Sequence, residues 1–389
     1  MSKAWQILLA LTFARMTMAA QFQSIPALAP WLTAEGGLSF IALGTLTGAY
    51  LLPGALVAMA GGWLGQTVGD ARVAIIGLAL MTLGGFAGWW VSSFETALTW
   101  RVVAGVGAVS LNVMLTKMAA DWFDGRDDLP SAMGVLVSSW PAGIALAALC
   151  LPIVAAGAGL GLALLVPAIL CATGLVALAL IWRAPERPAA ASTDQAARFT
   201  ARELVLVFIA GMIWALYNVA FIGTIVWTPD LLISQGVGPV AAHAVTSFIG
   251  WVAIFSVAAG GWMAARGRHK DLPALVCFLL SAVLIGAMPF MGAQAGSLWV
   301  MCVVGAALGP AAAMTMTLPV EAARSHLRAM AMGIYFAIYY GLMGLGPVFF
   351  GALRDVSENP AAPHGASAVL LLGCVVLWAV FRKIQNRPL

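Results

Sequence analysis

The chain has 389 residues, of which 62% are hydrophobic and only 9% charged, with a formal net charge of +4 and a mean hydropathy of +0.98. A soluble domain is about a quarter charged and under half apolar, so this composition excludes a soluble globular fold. The basic surplus does not read as a nucleic-acid footprint, because the charges are spread over short loops instead of one basic face with interleaved aromatics.

Apolar runs long enough to cross ~30 Å of hydrocarbon as helices recur along the chain. They predict an all-α polytopic membrane protein with twelve transmembrane helices. The first six lie at 5–32, 40–64, 73–92, 96–119, 131–156 and 160–182, and the second six at 203–228, 240–264, 273–292, 297–319, 329–350 and 365–381. The first run follows Lys3 but exceeds the ~7–15 residues of a signal-peptide core, and it reads as a retained helix. RAPERPAAASTDQAARFTARE, rich in proline, alanine and charge, is a linker by composition. The expected domains are an N-terminal six-helix bundle (1–182), a cytoplasmic linker (183–202) and a C-terminal six-helix bundle (203–389).

Basic residues concentrate on the cytoplasmic side of membrane proteins. With both termini cytoplasmic, sixteen of the nineteen Lys and Arg fall on that side and Arg354 alone falls outside. Arg15 and Arg101 remain, inside the first and fourth spans. The five cysteines match neither metal-site nor disulfide spacing and read as small packing residues.

The halves repeat one another at an offset near 200 residues. GGW at Gly61–Trp63 recurs at Gly260–Trp262, Asp121 recurs as Glu321, and Ala132, Met133, Gly134 recur as Ala331, Met332, Gly333. Duplication of a six-helix unit is a common transporter construction.

Twelve spans, the 6+6 repeat and GGW in both 2–3 loops make the whole chain resemble the major facilitator superfamily. That family's 2–3 loop signature is G-x-L-(A)-D-(R)-x-G-(R)-(R/K). Gly62, Leu64 and Gly69 match it, while Gln66 stands at the acidic position and Asp70 and Arg72 follow. Arg101, Gly105 and Gly107 fit R-x-x-x-G-x-G on the fourth helix. NVMLTKMAADWF (112–123) and AMGVLVSSWPAGIALA (132–147) are similar to the cyanate-permease-like and nitrate/nitrite porter branches. The resemblance implies two pseudo-symmetric bundles in a bacterial-type inner membrane, rocking about a central cavity. Helices 1, 2, 4, 5, 7, 8, 10 and 11 would line that cavity, and 3, 6, 9 and 12 would face lipid. It also implies a gating role for Gly62, Gln66, Gly69, Asp70, Arg72 and Asp121.

An ionisable residue inside a span marks function by default. All fifteen carboxylates lie in loops or at span ends, so no acid sits at the depth of Arg15, and a buried unpaired cation is costly. Its charge then calls for an anionic substrate, which a guanidinium grips through paired hydrogen bonds. The alternative is a structural arginine that snorkels or bonds backbone carbonyls of a kinked neighbour. Arg101 is read as anion contact or as a packing and gating residue, and Lys117 as snorkelling. Candidate site partners are Tyr50, Trp140, Trp214, Tyr217, Asn218, Trp251, Tyr335 and Tyr339, whose polar tips at mid-span depth need partners. His243 is read as a structural histidine or a proton relay.

The expectation is a monomeric secondary transporter of a small organic or inorganic anion, working by alternating access, with a proton or counter-anion as coupling partner. No cofactor, metal, nucleic acid or enzymatic activity is expected. The alternative is an efflux porter for amphiphilic compounds.

Overall fold

The computed structural model describes residues 2–88, 93–184, 199–266, 271–324 and 327–386. The described residues are helical, without strands. The first half holds α1 (Lys3–Ala27), α2 (Ala29–Ala34), α3 (Phe40–Gly48), α4 (Gly54–Val68), α5 (Asp70–Ala87), α6 (Phe94–Phe123), α7 (Leu129–Ala158) and α8 (Leu160–Ile181). The second holds α9 (Ala201–Ser234), α10 (Pro239–Arg266), α11 (Leu272–Ala287), α12 (Leu298–Thr315), α13 (Leu318–Ala322), α14 (Arg328–Ser357) and α15 (Ala362–Gln385).

Among the described residues, ten helical stretches are long and apolar enough to cross a membrane. The first two expected spans are not among them. α1 carries Arg15, Gln21 and Gln23 on an otherwise apolar helix, which lowers its hydropathy. The second is broken into α3 and α4 at residues 49–53, where Pro53 sets the entry to α4 and fixes its own φ without a backbone N–H. The expected linker 183–202 lies largely outside the described residues. At its end, Thr200 and Glu203 form a reciprocal capping box that starts α9.

Side-chain contacts put both chain ends on one face. Trp5 at the start of α1 donates to Asp128 Oδ2 at 3.0 Å, beside the end of α6, and Arg202 of α9 donates to the Gln385 carbonyl. On the other face, Arg354 near the end of α14 meets Asp230 near the end of α9, and Asp355 accepts from the amides that open α3. These are called the terminal face and the opposite face below. Asp128 also accepts two bonds from Arg126, both at 2.8 Å, and chiefly this guanidinium, with help from Trp5, holds its carboxyl down at about 2.

The halves meet along α3 and α14 and along α7 and α10. α3 lies so close to α14 that a Cβ on Gly48 would overlap the Gly344 carbonyl. This backbone-to-backbone approach requires glycine and is a common membrane helix interface. In α5, α8, α11 and α15 between 28% and 33% of the most apolar stretch is buried, against 44% to 72% in the other candidate spans. Large apolar side chains such as Ile76, Leu180, Val283 and Val369 are exposed on these four, as a lipid-facing surface requires.

Candidate functional site

α1 presents Arg15 toward the turn of α7 that precedes Pro141. Pro141 has no N–H to offer the carbonyl four residues earlier, so Val137 O is free of its helical partner. Arg15 Nη1 donates to that oxygen at 3.1 Å, to Leu136 O at 2.9 Å and to Ser139 Oγ at 3.2 Å. Its Nε donates to Asn112 Oδ1 on α6 at 2.7 Å, and Asn112 Nδ2 donates across to the Tyr340 hydroxyl on α14, also at 2.7 Å. The chain Arg15–Asn112–Tyr340 thus joins the two halves. The arginine is held by two α7 carbonyls, a hydroxyl and an amide, all neutral, so its charge stays uncompensated.

These residues line a cavity of about 80 Å³ between the halves. α1, α6 and α7 supply Arg15, Met18, Asn112, Val137 and Trp140, while α9 and α14 supply Trp214, Tyr217, Asn218, Phe221, Tyr339 and Tyr340. None of its lining residues is acidic. Arg15 Nη2 and the Tyr339 hydroxyl have no hydrogen-bond partner among the described residues, and the buried Trp214 Nε1 has none either. The Tyr340 hydroxyl accepts from Asn112, which leaves its own proton to give. The unspent groups are mainly donors beside one cation, a set that complements an anion.

Of the expected partners, Trp140, Tyr217, Asn218, Trp214 and Tyr339 gather with Arg15 in this cavity. Two of them have spent a polar group elsewhere: the Tyr217 hydroxyl donates to Leu308 O at 3.0 Å and Asn218 Nδ2 to Trp214 O at 2.7 Å. Tyr335 stacks on Trp214 at 6.1 Å but lies behind the wall, and Trp251 does not line it. Asn112 and Tyr340 were missed as site residues. A mid-span amide was the available signal for the first; the second follows directly on Tyr339, which the repeat of Ala132–Gly134 at Ala331–Gly333 pairs with Trp140.

Tyr50 and Arg101 lie away from this cavity, Arg101 in the packing role that was its other reading. Arg101 donates from Nε to Leu46 O at 3.1 Å, from Nη1 to Gln21 O at 3.0 Å and Ser24 Oγ at 3.4 Å, and from Nη2 to Phe22 O at 3.4 Å. Its guanidinium lies 4.7 Å from the centre of the fully buried Tyr50 ring. It pins α6 to α1 and α3, facing a separate recess within the first half. Neither residue reaches the central cavity.

Among the gating candidates, the side chains at Gly62 and Gln66 lie outside the described residues. Gly69 closes α4 and opens α5 with φ 95°, a conformation that favours glycine. Asp70, the first residue of α5, accepts from Lys117 Nζ at 2.6 Å, so Lys117 is an ion-pair partner within the first half and not merely snorkelling. Asp121 is half-buried one turn beyond Lys117, and Arg72 is exposed. The second half repeats this corner with Arg382 bridging Asp271 and Glu321. His243 is buried on α10 with both ring nitrogens unpartnered, and His364, read as outside the spans, is buried within α15.

Residues 7–347 match the Major Facilitator Superfamily. The chain belongs to that family. It is 26% identical to the cyanate transport protein CynX of Escherichia coli (strain K12), covering 97% of this chain and 98% of that one. It is 24% identical to the uncharacterized transporter YycB of Bacillus subtilis (strain 168), covering 89% and 85%. Its fold is similar to the crystal structure of a D-xylose-proton symporter, with a TM-score of 0.76 at 14% identity and full coverage of both chains. This member of the superfamily is therefore a secondary transporter and a multi-pass bacterial inner-membrane protein.

Proposed function

We propose that this transporter moves a small monovalent anion, a short carboxylate or similar oxyanion, by alternating access of two six-helix bundles, residues 1–182 and 203–389. The observation that carries this reading is Arg15. It lines an inter-bundle cavity without carboxylates, and one guanidinium nitrogen, Nη2, is unclaimed. A single lining cation fits one negative charge, and a cavity of about 80 Å³ favours an anion of few atoms. Trp140, Trp214 and Tyr339 would flank its body while Tyr339 and Tyr340 donate to its oxygens. The name of the E. coli relative, a cyanate transport protein, points toward small anions as well.

Twelve helices with the terminal face cytoplasmic follow from the distribution of basic residues. On this orientation the Gly48–Gly344 seam and the Asp355 contacts to α3 hold the periplasmic side shut. The test is uptake into proteoliposomes across a panel of small monoanions, dianions and neutral solutes. Monoanions alone should be carried, and Arg15→Ala should reduce the best of them by about 100-fold, as expected for loss of a desolvated charge-assisted contact. Arg15→Lys should recover only part of the loss, since an ammonium cannot reproduce the fork. Undiminished uptake by Arg15→Ala would sink the reading.

A further inference from the structure

A second cavity, about 260 Å³ and some three times the volume of the first, lies between the same halves nearer the opposite face. The two share no lining residue. They are stacked along α9 and α14: Tyr217, Asn218, Tyr339 and Tyr340 face the first, while Ile222, Val226, Met343 and Pro347 face the second. From Tyr340 to Pro347 is roughly 10 Å of helix rise. The first half contributes Pro26, Pro30, Phe40, Leu43 and Thr47 to its other wall.

Its chemistry is unlike that of the Arg15 site. The Thr47 hydroxyl is spent on Leu43 O at 2.8 Å, and that of Thr33 on Ala29 O and Pro30 O at 3.0 Å each. The one acidic lining residue, Asp230, is paired with Arg354 at 2.7 Å, and no cation lines the cavity. An anion would find no charge partner here. His243 differs from the threonines and from Asp230. It is 2% exposed, lines the cavity, and neither ring nitrogen has a partner. A buried imidazole without a hydrogen bond is costly to leave unmatched.

The closing contacts between the halves also build the walls. Phe40 packs edge-on against Trp227 at 5.5 Å and lies under the Arg354 guanidinium at 4.7 Å. Gly44 of α3 and Pro347 of α14, which touch across the seam, both line the space. Parting α3 from α14 dismantles the cavity. Whatever binds there is bound by the closed state alone, and by mass action favours that state.

We propose that this cavity is a regulatory site for a neutral amphiphile, an apolar ring or chain bearing one hydroxyl, which His243 hydrogen-bonds. Its occupancy locks the opposite side shut and slows anion transport without competing for the Arg15 site. Only the effect on transport rests on the function proposed above; the binding does not.

The experiment uses the full-length protein in liposomes with 4-hexylphenol and a photoreactive analogue carrying a diazirine in its alkyl chain. Adducts mapped by mass spectrometry should fall within residues 40–47 and 219–233 and be displaced by excess 4-hexylphenol. Val226→Trp and Ile222→Phe, which fill the space, should each lower labelling by about tenfold, and His243→Leu should lower it less. Adducts confined to other segments of the wild type, or labelling undiminished in both filled variants, would overturn the site. In the transport arm, 4-hexylphenol should lower the maximal rate of anion uptake with KM unchanged. A rise in KM, or accumulation of the phenol itself, would overturn the regulatory role. Arg15→Ala should label as the wild type does, so a failed anion reading and a failed amphiphile site are told apart.

Discussion

Arg15 donates from Nε to the side-chain oxygen of Asn112 at 2.7 Å, an arginine matched with an amide where most buried arginines meet a carboxylate. The amide orients the guanidinium without neutralising it, and its other end reaches Tyr340 across the cavity. Asn112→Asp should therefore abolish what it superficially conserves. A fixed carboxylate at this distance would occupy the cation permanently, so monoanion uptake should fall by about 100-fold. The protein should still elute as a folded, monodisperse species. Uptake equal to wild type in the Asp variant would show that the charge of Arg15 is not what cargo reads.

Arg101 is predicted to behave differently from Arg15. It holds three backbone carbonyls and a hydroxyl on α1 and α3, and a hydrogen bond to a charged group is worth about 1.5–3 kcal/mol. Arg101→Ala should lower the melting temperature measured in detergent. Whatever folded protein survives should transport with an unchanged KM, whereas a selective rise in KM would return Arg101 to the substrate path.

The contact between Asp355 and α3 should set the balance between closed and open states. Its carboxylate accepts from Phe40 N at 3.2 Å and Ile41 N at 2.7 Å, capping a helix of the other half. A cap is worth about 0.5–2 kcal/mol, so Asp355→Ala should shift that equilibrium by about fivefold toward opening. The readout is maleimide labelling of Leu43→Cys, introduced where the wild-type side chain is 5% exposed, with the native cysteines replaced. Labelling should speed up by a similar factor.

Asp128 gives a pH signature on the terminal face. Its folded carboxyl sits at about 2, lowered chiefly by Arg126 and further by Trp5, against ~3.9 when unfolded. A depressed carboxyl contributes stability above the unfolded value and loses it as pH falls through the folded one. The difference in melting temperature between wild type and Asp128→Asn should be full at pH 6 and shrink between pH 4 and pH 2. A difference constant across that range would contradict the pairing.

The partition of helices and most of the central wall were legible because both follow from the cost of polar groups in hydrocarbon. That cost puts Trp140, Tyr217, Asn218 and Tyr339 where water or cargo can reach them, and keeps charge to the ends of α5, α8, α11 and α15. The choice between the two readings of Arg101 was closed to the sequence because depth along a helix says nothing about azimuth. The same span position suits a residue aimed at the cavity or at a neighbour within its own half. The holding of Arg15 was only half visible. The absent carboxylates are plain in the sequence, and backbone carbonyls of a kinked neighbour were one of its two readings, but which helix supplies them was not, nor that Val137 O is available only because of Pro141. The broken second span was hidden for a related reason: hydropathy measures lipid compatibility and is blind to a turn that neighbours bury.

The meeting of Gly48 with Gly344 bears on the speed of the cycle. Interdigitated side chains must change rotamers before two helices can part, whereas this seam at its tightest point is bare backbone against bare backbone. There are no teeth to disengage. Contact energy of this kind is lost over the first ångström or so of separation and regained with no search for a matching arrangement. The seam acts as a smooth latch, and bulk added at either glycine would wedge it ajar.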